Sequence, residues 1–147
     1  MIRGRFLLAR GRRRPTITAS LLIPSQGISG EVDFLIDTGA DSTLLGPYDA
    51  HALGIDVDRL GAGPTSTGVG GSVRTGTAGA HLILGHHTLD LDLWVLVPSG
   101  RRQQAALSQL PSLLGRDVLA HFALVMEERT GRVLLLEPDE SDALGLP

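Results

Sequence analysis

Phe34-Leu35-Ile36-Asp37-Thr38-Gly39-Ala40-Asp41-Ser42-Thr43 is the stretch on which the reading of this chain turns. It begins as the apolar end of an alternating run, Glu31 to Ile36, which reads as a β-strand. An ionisable residue directly after such a strand sits at the end of a sheet, beside the core. Gly39 permits the sharp turn that presents Asp37 there, and Thr38 can hydrogen-bond inward and brace the loop. Asp-Thr-Gly alone is also ordinary turn chemistry, so the flanking residues and the rest of the chain carry the decision.

Upstream, Thr16 to Ile23 reads as a strand and Pro24 to Gly30 as a turn, which makes a hairpin with the strand before Asp37. Downstream, Pro47 to Leu53 predicts one or two helical turns, with Pro47 in the first turn and Gly54 as the stop. Gly61 to Gly79 is rich in Gly, Ser and Thr, and Gly70-Gly71 between Val69 and Val73 predicts a tight hairpin. His81 to Leu84 and Leu89 to Val97 read as strands around a turn at Gly85 to Thr88. A polar connection, Pro98 to Pro111, holds a short helix at Gln103 to Leu110. Leu113-Leu114 is a brief strand ending at Gly115, and Asp117 to Phe122 begins a short helix. Ala123 to Met126 and Arg132 to Leu136 form a last hairpin. Many short strands separated by glycine turns predict an all-β fold, a barrel or closed sandwich.

A chain of 147 residues is one domain's worth. There is no cysteine, which removes disulfides, thiolate catalysis and zinc-cysteine sites. No stretch is long and apolar enough to span a bilayer, and Phe6-Leu7-Leu8-Ala9 is too short for a secretory signal, so a cytoplasmic protein without a membrane partner is expected. Net charge is -3. Residues 1–13 read as a basic arm (with Arg3, Arg5, Arg10, Arg12 and Arg13), 14–138 as the folded domain and 139–147 as an acidic, frayed tail. No stacking aromatics follow the arm, so it reads as a solvated terminus and not as a nucleic-acid contact.

The loop Asp37-Thr38-Gly39-Ala40-Asp41-Ser42-Thr43, preceded by Phe34-Leu35-Ile36, closely resembles the active-site loop of retropepsin-like aspartic peptidases. Leu113-Leu114-Gly115-Arg116-Asp117-Val118-Leu119 is similar to that family's apolar-apolar-Gly segment and the helix after it, which packs beneath the catalytic loop. Thr67-Gly68-Val69-Gly70-Gly71-Ser72 resembles the flap, the hairpin that closes over substrate. The three elements come in the family's order, and the resemblance extends roughly from Arg14 to Leu136. The hairpin after the last short helix is closer to cellular and bacterial members than to viral ones.

The resemblance implies a closed β-barrel of the acid-protease type, with a flap and one or two short helices. It implies an aspartic endopeptidase with Asp37 as the catalytic carboxylate and no cofactor. Two carboxylates are needed, one as base and one as acid, close enough to share a proton. The chain has one Asp-Thr-Gly, and Asp90, Asp92 and Asp117 lack the loop context, so a homodimer supplying a second Asp37 is the simple solution. By the same resemblance Thr38 bonds across the dimer, and Gly39, Ala40 and Asp41 line the cleft for an extended peptide. Val69, Gly70 and Gly71 form the flap tip, and Arg116 supports the loop through Asp41. Arg14-Pro15 resembles a pair whose Arg crosses the dimer to the same acid. The C-terminal hairpin near Val133 to Leu136 is the expected interface.

No metal site is expected. His86 and His87 are adjacent, so on a strand they point to opposite faces, and Gly85-His86-His87-Thr88 reads as a solvated turn. Ser42, Ser99 and Ser112 lack a nucleophile-elbow context. The competing reading is a catalytically weak homodimerisation or peptide-binding module on the same fold.

Overall fold

Alternation of apolar and polar residues builds the two strands that lead into the loop. In β3 (Arg12–Ile23), Ile17, Ala19, Leu21 and Ile23 are buried while Thr18, Ser20 and Leu22 between them are half-buried. In β4 (Ile28–Ile36), Val32, Phe34 and Ile36 are buried and Glu31 and Asp33 exposed. The two pair antiparallel from Thr16 opposite Leu35 to Ile23 opposite Ile28. The structure, a computed structural model, describes residues 1–68 and 71–147.

The remaining strands of the larger sheet are β2 (Arg5–Ala9), β5 (Leu44–Leu45), β6 (Gly61–Gly68), β7 (Gly71–Leu84), β8 (His87–Val97) and β9 (Ser112–Leu114). Their order is β2-β3-β4-β9-β5-β8-β7-β6. β7 also pairs with β3, from Ser20 opposite Ile83 to Leu22 opposite His81, so the pairing that leaves β3 through β4 returns to it from β7. Inside lie Ile17, Leu21, Phe34, Leu45, Leu82, Leu93, Val95 and Leu114, all without solvent exposure. A smaller antiparallel sheet, in the order β1-β11-β10, comprises β1 (Ile2–Arg3), β11 (Arg132–Leu136) and β10 (Ala123–Glu127). The protein is thus mostly β, with short helices α1 (Pro47–Leu53), α2 (Gly100–Leu107), α3 (Arg116–Leu119) and α4 (Pro138–Asp142).

The basic arm, read as a solvated terminus, is paired into both sheets: β2 pairs with β3 through a turn at Arg10-Gly11, and β1 joins the small sheet. Its arginines find partners that local sequence does not reveal. Arg5 donates to Asp33 and Thr18, and Arg13 lies 4.8 Å over the Phe6 ring and donates to the Glu128 carbonyl. The acidic tail begins with α4, where Glu137 and Glu140 form a reciprocal capping box. The helix of the long connection is α2, Gly100–Leu107, earlier than Gln103 to Leu110. In the hairpin expected to form the interface, Val133, Leu135 and Leu136 are buried within their own chain, while Val125 and Leu134 are half-buried and Met126 is exposed.

Phe34 sits at the centre of this packing with no exposed surface. Phe34→Ala is expected to cost about 3–5 kcal/mol, because the cavity adds to the lost transfer energy. Urea unfolding should show it as a lowered midpoint with an unchanged slope.

Candidate active site

Asp37 is the first residue beyond β4, and its backbone is held by the next strand: Asp37 N donates to the Leu114 carbonyl at 3.1 Å. The chain then turns. Ala40 N donates to the Asp37 carbonyl at 3.2 Å, and Gly39 N donates to Asp37 Oδ1 at 2.9 Å. The turn therefore orients the carboxylate through a donor of its own loop. Asp37 is half-buried, while Thr38, Gly39 and Asp41 are exposed and Ala40 is half-buried. The Thr38 side chain makes no hydrogen bond among the described residues of this chain.

The loop rests on the segment around α3. Arg116 N donates to the Ala40 carbonyl at 2.8 Å, and Asp117 N to the Asp41 carbonyl at 3.1 Å. The Arg116 guanidinium donates to the Asp41 carboxylate, but both side chains are well exposed, so water competes and the pair contributes little to stability. The stronger lock is deeper. Thr43, wholly buried, donates its hydroxyl to Asp117 Oδ1 at 2.7 Å and its backbone N to Asp117 Oδ2 at 2.9 Å. The same hydroxyl accepts from Gly115 N at 3.1 Å. A Cβ on Gly115 would come within 2.5 Å of the Ser42 carbonyl carbon, so only glycine permits this approach.

Thr43 and Asp117 are the two residues that sequence reasoning passed over. Asp117 lacks an Asp-Thr-Gly context and is no partner for Asp37 within the chain; its role is to hold the far end of the loop. The available signal was a Thr closing the loop motif and an acid in the first turn of the later helix. The buried Ser112 is likewise structural: it accepts from Gly46 N at 2.9 Å and donates to Asp49 at 2.6 Å.

The strands expected to carry the flap are β6 and β7, which pair out to Thr67 opposite Ser72 and Gly68 opposite Gly71. Val69 and Gly70, assigned to the flap tip from sequence, lie outside the described residues. Between these strands and α2 is a cavity of about 700 Å³, walled by Leu44, Val73, Leu96, Leu107, Leu110 and Leu113. Gln103 ties α2 to β7, accepting from Ser99 N at 2.7 Å and donating to the Ser72 carbonyl at 3.1 Å. Asp37 and Asp41 belong to no three-ligand metal cluster among the described residues; the one such group is His86, His87 and Glu137, on other elements.

The fold is that of retropepsin-like proteases. EIAV protease complexed with the inhibitor HBY-793 superposes with a TM-score of 0.52 at 23% identity, over 78% of this chain and 92% of that chain. A retropepsin-like aspartic protease from Rickettsia conorii gives a TM-score of 0.55 at 19% identity, over 90% and 87% of the two chains. A comparison with curated proteins found no match. The profile of the family described as aspartyl protease matches residues 26–118, a span that contains Asp37, Thr43, Gly115 and Asp117, and the chain belongs to that family. No helix among the described residues is long and apolar enough to cross a membrane.

Replacing Thr43 by Val keeps the shape but strands Gly115 N and removes one of the two donors to Asp117 Oδ1, which keeps Val118 N at 2.9 Å. We expect a loss of about 1–3 kcal/mol, with most of it restored in Thr43→Ser, which keeps the hydroxyl. In chemical denaturation, a loss in Thr43→Val no larger than that in Thr43→Ser would show that the hydroxyl contributes little and would remove the lock.

Proposed function

We propose that the protein is an aspartic endopeptidase that works as a homodimer, with one Asp37 from each copy. The observation that carries this reading is the setting of Asp37. It is a half-buried carboxylate at a strand end, its Oδ1 held by Gly39 N, in a chain of the aspartyl protease family.

Two such carboxyls brought together on a twofold axis cannot both ionise without strong repulsion, so they share one proton. The ionised Asp37 takes a proton from a water lying between the pair as that water attacks the scissile carbonyl carbon. The protonated Asp37 of the other copy gives its proton to the carbonyl oxygen. Collapse of the tetrahedral intermediate breaks the C–N bond, with the proton delivered to the leaving nitrogen. Neither a metal nor a covalent acyl-enzyme enters.

Thr38 is exposed and its side chain has no hydrogen-bond partner among the described residues, which suits a bond to the loop of the second copy. Gly39 and Ala40 would offer backbone groups to an extended peptide, and Gly71, with Val69 and Gly70, would cover it as the flap. The peptide would lie as an added strand, with side-chain pockets on alternate sides. The leucine-rich cavity between flap and α2 suits a large apolar side chain of the substrate. Arg116, through Asp41, would steady the loop edge, with Arg14 reaching the same acid from the other copy.

The test is cleavage of a mixed peptide library across a pH series. We expect a bell-shaped profile on the acid side of neutrality, because activity needs the pair singly protonated. Asp37→Asn should lower kcat by about 10²–10⁴-fold, and a statine-type inhibitor should block what the wild type does. Cleavage that survives both, or a rate that stays flat into alkaline pH, removes the assignment. Sedimentation adds a second check: Arg116→Ala and Arg14→Ala should each shift the equilibrium towards monomer, and an unchanged dimer for both would show that these arginines do not hold it.

A further inference from the structure

His86, His87 and Glu137 converge although nothing in their spacing announces it. The turn between β7 and β8 is only Gly85-His86, with Leu84 opposite His87, and Gly85 takes a positive φ of 57°. That tight turn breaks strand alternation, so the two imidazoles do not diverge as read from the sequence: their ring centroids are 4.2 Å apart. His87 also packs edge-on against Phe122 at 5.3 Å. Glu137 comes from the other sheet, as the residue between β11 and α4.

Both histidines aim the same atom at the same oxygen. His86 Nε2 is 3.2 Å and His87 Nε2 is 3.3 Å from Glu137 Oε1, and the three ligating atoms all lie within 4.8 Å of one another. His87 Nε2 is buried and, despite that proximity, has no hydrogen-bond partner among the described residues, because its alignment with Oε1 is not that of a donor. A buried ring nitrogen without a partner is costly. The Glu137 carboxylate is itself oriented, accepting from the Glu140 backbone N in the capping box, while Glu140 Oε2 accepts from Glu137 N at 2.9 Å. The amino group of Met1 sits 2.8 Å from Glu140 Oε2 but 3.8 Å from Glu137 Oε1, which leaves that oxygen mainly to the histidines.

We propose that His86, His87 and Glu137 form a binding site for a divalent cation of the zinc type, clamping the β7–β8 turn to the β11–α4 junction. Zinc bonds of about 2.0–2.1 Å in tetrahedral geometry place neighbouring ligand atoms about 3.3 Å apart, which matches the two N···O separations here. Two neutral imidazole nitrogens and one carboxylate oxygen suit zinc among the divalent ions, whereas calcium and magnesium prefer all-oxygen sets. Water completes the coordination. None of the three ligands comes from the Asp37 loop or its α3 support, so the site is independent of the peptidase reading and acts on the fold: an ion that binds the folded chain stabilises it by mass action.

The test uses the full chain, treated with chelator and titrated with zinc chloride by calorimetry and thermal unfolding. We expect one equivalent to bind and the midpoint to rise by roughly 5–10 °C at a hundredfold excess over Kd. His86→Ala, at a largely exposed position, should keep the fold and weaken binding at least about tenfold, as should Glu137→Gln. His81→Ala serves as the control, because His81 and Asp90 form a separate pair at 2.6 Å. Absence of binding in the wild type overturns the proposal, as does binding unchanged in His86→Ala and Glu137→Gln or abolished in His81→Ala.

Discussion

The active loop depends on one buried contact, the grip of Asp117 on Thr43. A loop that presents an ionisable group at a sheet end has no regular ladder to hold it, and its backbone groups must find partners elsewhere. Here they find them in a segment far along the chain: Thr43 and Asp117 are separated by 74 positions, yet both carboxylate oxygens and the threonine hydroxyl are engaged. Because Thr43 is fully buried and Asp117 half-buried, these bonds are partly shielded from water, and removing Asp117 would leave the Thr43 hydroxyl and backbone N without their acceptor. The exposed pair of Arg116 and Asp41 spans the same two segments but in water, where charge attraction is largely screened.

That division of labour explains why the Asp37 carboxylate can be partly open to solvent while its loop stays in place. β9 runs parallel to β4 and lends the Leu114 carbonyl to Asp37 N, so the strand that carries the acid and the strand that leads into its support are neighbours in one sheet. Gly115 then brings the two backbones into a contact no larger residue would allow. The position of the carboxylate thus comes from hydrogen bonds on the core side, and its other side is open to solvent.

The small sheet has a different task. Its β11 residues are buried against the larger sheet, and the junction after β11 meets the β7–β8 turn through Glu137 and the two histidines. The N-terminal strands are drawn into both sheets, which places the arginine side chains of the first residues against Phe6, Asp33 and the Glu128 carbonyl. Arg5 and Arg13, read from the sequence as part of a solvated arm, are thus engaged at the surface.

Local chemistry was enough to read the strands into and out of the loop, the helix at Pro47–Leu53, the hairpin turns and the place of Asp37 at a strand end. Side-chain alternation and turn residues act over a few positions, and so they are written in consecutive letters. The fate of the arginine arm, the pairing of Thr43 with Asp117 and the meeting of His86, His87 and Glu137 were settled only by folding. Each joins segments far apart in the chain, and alternation says which face a residue takes but not what it will meet there. The histidines show the limit most clearly: a tight turn at Gly85-His86 overrides the period of two, and their shared carboxylate arrives from another sheet.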